Sequence, residues 1–325
     1  MTRHRPYLLI VLGSVLAALL LVGVPPLSAQ EKTLIRVGDI VAADVVYVAW
    51  VLALEKGFFA EEGLEVKRSV YPNGPAVIQS MGAGELDVGM AATFVLLTAR
   101  AQGVDLSIVM SLTKDNAPLA VRKEIRSFKD LNGKRIGTPG LGTIHDINLT
   151  YIEKTHGITV THVHGKITDL LAYYEKGEID GLVGWEPVIA EAVHRLGAQY
   201  LMKSMRPGSE SQGLAVSGKL VREKPEVVDR LVRAYLKGMR HFEQRFDEAI
   251  AIVSRRLQKP PELIRMSYGQ VTVTKPYVER ASTREAVEIA IEQKKIRKEA
   301  VPDVAAFVDR TIDESFLRKA EASLR

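Results

Sequence analysis

The chain has no cysteine among its 325 residues. That absence excludes a disulfide framework, a zinc ribbon, an iron–sulfur cluster, a cysteine nucleophile and a thioether lipid anchor. Charge of one sign is also scarce. The 44 basic and 39 acidic residues leave a formal +5, and Arg3 and Arg5 at the N-terminus carry two of it. Lys and Arg alternate with Glu and Asp along helical segments, which describes solvated helix faces and not the basic stripe of a nucleic-acid binder. After the first 24 residues no run is long and apolar enough to cross a bilayer, so the mature protein is expected to be soluble. What remains is 46% hydrophobic and 26% charged, the composition of a globular chain long enough for two cores.

Residues 1–29 have the three-part layout of a secretory signal peptide: Arg3, His4 and Arg5, an apolar run from Tyr7 to Val24, then Pro25-Pro26-Leu27-Ser28-Ala29. Cleavage after Ala29 is expected, leading to the periplasm. The competing reading is an uncleaved anchor, because the run approaches the roughly 20 residues needed to span.

The remainder contains an internal duplication. A β-type run at Leu34–Gly38, a helix over 44–56 closed by Gly57, a strand from Leu64, a helix over 75–81 and a strand over 86–90 form the first copy. The same order returns 93 to 100 residues later. Arg135-Ile136-Gly137 repeats Arg36-Val37-Gly38, a helix over 143–156 ends at Gly157, Ile158-Thr159-Val160 stands where Leu64-Glu65-Val66 stood, and Gly177-Glu178-Ile179-Asp180 repeats Gly84-Glu85-Leu86-Asp87. Two βαβαβ units imply an α/β protein of two similar lobes with parallel-dominated sheets flanked by helices. The chain is expected to cross between lobes near 116–121 and back near 212–216. After Pro225 an amphipathic helix carries Val228, Leu231, Val232, Tyr235, Leu236 and Met239, and the rest reads helical with breaks near Pro260-Pro261, Pro276 and Pro302. The expected organisation is a signal peptide at 1–29, a first lobe at 30–117, a second lobe at 118–213, and a return to the first lobe with C-terminal helices at 214–325. Two crossings make a hinge, and a hinge between two lobes makes a central cleft.

Ligands of open parallel sheets collect at the carboxyl ends of the strands. That rule selects the loops 41–47, 72–76, 91–94, 138–144 and 184–187. Within them Tyr47, Asn73, Gly74 and Thr93, together with Asn116 between the copies, are polar or conformationally permissive candidates. Gly137-Thr138-Pro139-Gly140-Leu141-Gly142-Thr143 offers a Gly-rich turn with a hydroxyl N-cap, suited to a small anion. It is not a nucleotide fingerprint, because His145 stands where a third Gly belongs and no Gly-Lys-Ser/Thr follows. Trp185-Glu186-Pro187 follows a short strand, so Trp185 is a candidate wall and Glu186 a candidate acceptor. No Arg falls in these loops, which disfavours a dianion such as phosphate.

No catalytic set can be assembled. His156, His162 and His164 lack a carboxylate at recognised ligand spacing and read as surface histidines; Ser217 lacks a nucleophile elbow. No metal, cofactor or enzymatic activity is expected.

Four stretches carry a resemblance: Glu55-Lys56-Gly57-Phe58-Phe59-Ala60-Glu61-Glu62-Gly63-Leu64, Gly84 to Gly89, Asp130-Leu131-Asn132-Gly133-Lys134-Arg135-Ile136-Gly137, and Gly184-Trp185-Glu186-Pro187. They resemble the periplasmic substrate-binding proteins of nitrate/sulfonate/taurine-type ABC importers, related to the thiamine-pyrimidine-precursor (NMT1/THI5-like) group, over about Leu34 to Met239. The resemblance implies a two-lobed, hinge-closing type II binding-protein fold that delivers a small solute to an ABC permease with its ATPase; the substrate does not carry over, and the expected ligand is a small organic anion or zwitterion captured by a monomer. Its ligand loops fall on Ala43 to Tyr47, including Asp44, on Asn73 to Ala76, on Ala92 and Thr93, on Gly142, Thr143 and Ile144, and on Trp185 and Glu186. The alternatives are a pyrimidine-precursor binding protein and a pyrimidine-synthase-like enzyme, whose cysteine-containing motif this chain lacks. A metal hydrolase using the histidines and a sensory module serving a membrane receptor are further rivals.

Overall fold

In the computed structural model, which describes residues 32–114, 117–205, 208–273 and 276–324, the first copy is built as expected with shifted boundaries. Strand β1 (Thr33–Ile40) buries Ile35, Val37 and Ile40. The helix expected from residue 44 begins at Val48, because residues 41–47 form the turn leaving the strand; α1 is Val48–Glu55. Gly57, in the left-handed region, joins it to α2 (Phe58–Glu61). Then come β2 (Leu64–Tyr71), α3 (Gly74–Gly82), β3 (Val88–Ala92), α4 (Thr93–Ala101) and β4 (Leu106–Lys114). The leader and Asn116 lie outside the described residues. No helix among the described residues is long and apolar enough to cross a membrane.

The second copy follows β5 (Leu119–Val121) and comprises β6 (Arg135–Thr138), α5 (Ile144–His156), β7 (Thr161–His164), α6 (Ile167–Glu175) and β8 (Gly181–Val183). Here one expectation is corrected: Ile158-Thr159-Val160 is not a strand, and pairing starts at Thr161, opposite Arg135. The apolar Ile158 and Val160 are instead buried in the loop against Leu131, Leu149 and Ile152. Next are α7 (Val188–Leu196), β9 (Gln199–Met202) and β10 (Glu210–Ser217). The C-terminal part is helical: α8 (Gly218–Glu223), α9 (Pro225–Gln244), α10 (Phe246–Leu257), α11 (Pro261–Ser267), α12 (Arg280–Glu292), α13 (Val304–Thr311) and α14 (Ser315–Ser323).

The strands form two five-stranded sheets, ordered β2-β1-β3-β10-β4 and β7-β6-β8-β5-β9. In each sheet β1 to β3, or β6 to β8, run parallel, and one strand is reversed: β10 in the first, β5 in the second. The reversed strands are the ones that arrive from the other sheet, between Lys114 and Leu119 and between Met202 and Glu210. No helix crossover constrains their direction there.

The repeated sequence motifs turn out to be halves of one clamp. Arg36 on β1 donates from its main chain and its guanidinium to Asp87 and to the Gly84 carbonyl. Arg135 on β6 makes the same set to Asp180 and the Gly177 carbonyl. Burial pushes Asp87 up, but the Arg36 bonds and charge outweigh it and hold the carboxyl below its usual range; Asp180 behaves alike with Arg135. The glycine two residues after each Arg admits the next apolar layer: a Cβ on Gly38 would stand 2.5 Å from Leu86, and one on Gly137 2.7 Å from Ile179.

The amphipathic face of α9 packs across α1, with Leu231, Val232 and Tyr235 fully buried. Gly238 sits at the crossing, where a Cβ would lie 2.0 Å from the Ala49 carbonyl oxygen. The helix that opens the second sheet's Gly-rich turn, α5, is tied to β7 by His162. Its Nδ1 meets Asp146 Oδ1 at 2.7 Å and its Nε2 meets Glu153 Oε2 at 3.1 Å. The expected surface histidine is therefore half-buried between two carboxylates of a neighbouring helix, a spacing invisible along the chain. The Asp146 hydrogen bond pulls the His162 pKa above 6.5, with burial opposing and Glu153 adding to it.

Gly238→Ala should lower the unfolding free energy by about 1–3 kcal/mol or more in urea titrations, since neither helix backbone yields easily; an unchanged midpoint contradicts the close approach. A second expectation concerns pH. A group whose folded pKa is raised contributes stability that is complete below its ordinary value, here 6.5, and lost as pH rises through the folded value. His162→Gln should therefore cost most in mildly acidic buffer and progressively less in alkaline buffer. Equal costs at both ends would show that His162 is held neutral.

Candidate functional site

A narrow cavity of about 20 Å³ lies where the carboxyl ends of the two sheets meet. Four helix starts surround it: Tyr47 precedes α1, Gly74 and Pro75 open α3, Ala92 precedes α4, and Thr143 and Ile144 open α5. This convergence follows from parallel strands, which deliver every following helix amino end first to the same edge. Two starts are capped by their own side chains. Asn73 Oδ1 accepts from the Ala76 N–H at 3.2 Å, and Thr143 Oγ1 from the Asp146 N–H at 3.3 Å. The start of α4 has no side-chain cap. Peptide dipoles make this region positive without a formal charge.

Among the described residues, none that lines the wall is Lys, Arg, Asp or Glu. Ile40, Val46, Val95 and Trp185 supply apolar surface, and Tyr47, Thr143, His145 and Gln212 supply polar atoms. Tyr47 Oη donates to Gln212 Oε1 at 3.1 Å, which leaves the Gln212 NH2 group as a donor for other partners. Burial raises the Tyr47 phenol well above its ordinary pKa, so it stays a neutral donor. The His145 and Trp185 rings lie against each other at 5.5 Å between centroids.

Two hydrogen bonds join the sheets around the cavity. Trp185 Nε1, beyond β8, donates to the Val41 carbonyl beyond β1 at 3.1 Å. Asn73 Nδ2 donates to the Pro139 carbonyl at 3.3 Å, and a Cβ on Gly140, whose φ is 125°, would stand 3.0 Å from that nitrogen. The Gly-rich turn is thus shaped for contact with the opposite rim.

Of the residues expected from sequence, Tyr47, Gly74, Ala92, Thr143, Ile144 and Trp185 line the cavity. Asp44 does not: it is buried and bonded to Arg256 at 2.8 Å, with Arg68 at 4.0 Å. Glu186 does not either. It is fully buried, accepting from Tyr200 Oη at 2.8 Å and the Ala190 N–H at 2.9 Å, and burial drives its carboxyl up to about 7. The Gly142 N–H, expected to face an anion, is taken by Asp146 Oδ2 at 3.1 Å, and Gly142 lines an outer groove with Leu141. Thr93 lines a separate cavity. Ala43, Val46 and Pro75, inside the expected loops 43–47 and 73–76, also line the first cavity, whereas sequence reading passed over Gln212, His145, Ile40 and Val95. Gln212 had a signal of its own, as the one amide in the otherwise apolar run 212–216. Among the described residues no group of three His, Cys, Asp or Glu is arranged to hold a metal ion.

The comparisons agree with this architecture. The profile of the family described as NMT1/THI5 like matches residues 45–249. The taurine-binding periplasmic protein of Escherichia coli (strain K12) is 27% identical over 146 residues, 43% of this chain and 45% of that protein. A 4-amino-5-hydroxymethyl-2-methylpyrimidine phosphate synthase of Saccharomyces cerevisiae (strain ATCC 204508 / S288c) is 29% identical over 172 residues, 51% of this chain and 48% of that protein. The chain therefore spans about half the length of these curated relatives. The crystal structure of the periplasmic nitrate-binding protein NrtA from Synechocystis PCC 6803 superposes with a TM-score of 0.76 at 16% identity, covering 91% of this chain and 90% of that one. The two mixed sheets flanked by helices are the periplasmic binding protein fold. With a family profile running through both sheets and the cavity between them, the chain belongs to the NMT1/THI5 like family.

Proposed function

We propose that the protein is the periplasmic solute-binding component of an ABC importer. In this reading it captures a small organic anion or zwitterion, of sulfonate, taurine or nitrate type, and delivers it to a permease with an ATPase. One observation carries it: a cavity between two sheets, ringed by helix amino ends and lined, among the described residues, by no charged Lys, Arg, Asp or Glu side chain. Such a site stabilises a single negative charge by oriented peptide dipoles, and a cationic wall suited to a dianion is missing. Trp185 and its neighbours give an apolar face for the carbon skeleton. The ligand bridges both sheets, so the closed arrangement alone gains its full contact energy, a population shift that a permease can read.

The reading includes export by the leader of residues 1–29, free diffusion as a monomer without a lipid anchor, and no catalytic activity. The pyrimidine phosphate synthase among the relatives keeps one rival specific: a flat heterocycle stacked on Trp185 and His145. The lobes at 30–117, 118–213 and 214–325 and the ligand contacts at Tyr47, Gly74, Ala92, Thr143, Ile144 and Trp185 belong to the same proposal.

Titration calorimetry of the mature chain against alkanesulfonates, taurine, nitrate, bicarbonate and a 4-aminopyrimidine should give heat with at least one singly charged anion or zwitterion. Trp185→Ala should weaken that binding by about tenfold or more. Heat from the pyrimidine alone would transfer the assignment to the heterocycle, and silence from every anion and zwitterion would refute the proposal.

A further inference from the structure

We infer that the outer groove beside the Gly-rich turn binds a medium-chain fatty acid, its hydrocarbon tail lying along α3 and α4 and its carboxylate on Lys295. This site is separate from the cavity between the sheets and stands independently of the solute proposed for that cavity.

The groove encloses about 410 Å³, within the range of small-molecule sites. Helices α3 and α4 contribute Ile78, Phe94 and Val95, Val104 follows α4, and the second copy adds Leu141 and Ile147. Among the described residues no Asp or Glu lines it, and Lys295 is the one charged side chain on its wall. The lining positions on α4 run from Phe94 to Gln102, about 12 Å at the helical rise of 1.5 Å per residue. A fully extended chain covers that distance in about ten bonds.

Leu141 supplies a second observation. It is 70% exposed, so the Gly-rich turn holds a large apolar side chain in water at the groove, where a hydrocarbon tail would cover it. The other exposed large hydrophobics among the described residues, Leu34 and Val70, stand on β1 and β2, which do not line the groove. A membrane surface would need several protruding apolar side chains here, and Leu141 stands alone. An extended peptide fits no better. It would bring an N–H and a C=O per residue to a wall whose uncharged polar side chains are Gln79, Thr98 and Gln102, with Thr98 Oγ1 already donating to the Phe94 carbonyl at 2.9 Å. A hydrocarbon brings no such groups.

Lys295 selects the head group. It belongs to the exposed stretch Lys294-Lys295-Ile296-Arg297-Lys298 after α12, whose four cations form no ion pair among the described residues. The nearby Glu292 is paired with Lys154 at 3.4 Å, which leaves Glu299 as the one carboxylate in residues 294–299. An apolar trough with this positive end is complementary to a single chain carrying one negative charge.

The test is titration calorimetry of the whole mature chain with hexanoate, octanoate, decanoate and the neutral 1-decanol, below micellar concentrations. Decanoate should bind about tenfold or more tighter than hexanoate, the gain expected from partly burying four further methylenes. It should also bind about three- to fivefold tighter than decanol in low salt, and high salt should erase that difference. Lys295→Met should abolish the preference for decanoate over decanol while decanol binding persists. Gln79→Trp, at an exposed position on the groove, should block both. Should Gln79→Trp fail to fold, the chain-length series and Lys295→Met decide the matter. Absence of decanoate binding, equal affinities along the series, a charge preference that survives Lys295→Met, or decanoate binding unchanged in folded Gln79→Trp overturns the inference.

Discussion

Every parallel strand in this protein ends at the same edge as its neighbours, and that polarity governs the rest. Because β1 and β3 point one way in the first sheet, and β6 and β8 do so in the second, each following helix presents its amino end at that edge. Placing the two edges against each other produces a positive region built from main chain. The Arg36–Asp87 and Arg135–Asp180 clamps stand at the opposite ends of these strands, where formal charge is spent on holding the sheet. Charged pairs occur at the ligand edge too, where Asp44 meets Arg256 and Arg68 meets Asp39, but none of these four side chains lines the cavity.

The acidic residues near the cavity are kept out of its wall. Asp44 and Glu186 stand on loops at the ligand edge, yet both are turned away and satisfied by other groups. An ionised carboxylate aimed into a wall of helix amino ends would compete with an incoming anion for the same dipoles. Asp146 shows the compromise: it takes the Gly142 amide and is itself held by His162, so its charge serves the turn and not the cavity. Glu210, on the wall of the neighbouring cavity, accepts among the described residues from Ser111 Oγ and the Glu279 N–H.

Much of the fold was legible because the duplicated motifs are the structural parts themselves. The Arg and the Asp of each copy recur since they bond to each other, and the glycines recur since a side chain there would strike the next layer. The start of β7 was not legible: Ile158 and Val160 look like strand residues, and only the packing of the loop on Leu149 and Ile152 reveals that they serve the core outside the sheet. At the candidate site, Tyr47, Thr143 and Trp185 could be placed on the cavity's wall because a loop at a strand's carboxyl end is a local property. Asp44 was misread because its partner, Arg256, lies 212 residues further along the chain. Gln212 stood out in the sequence as an amide in an apolar run, but what it faces became readable only once the opposing wall was known.

The indole of Trp185 has a further consequence. The chain contains two tryptophans. Trp50 is buried in the core beside Phe59, at 4.4 Å between ring centroids, well shielded from solvent. Trp185 stands in the cavity wall, bonded to the opposite rim and next to His145. The two emitters thus differ in setting, one fixed in the core as a baseline and one tied across the seam, whose brightness and colour would report any loss of that bond with no label attached.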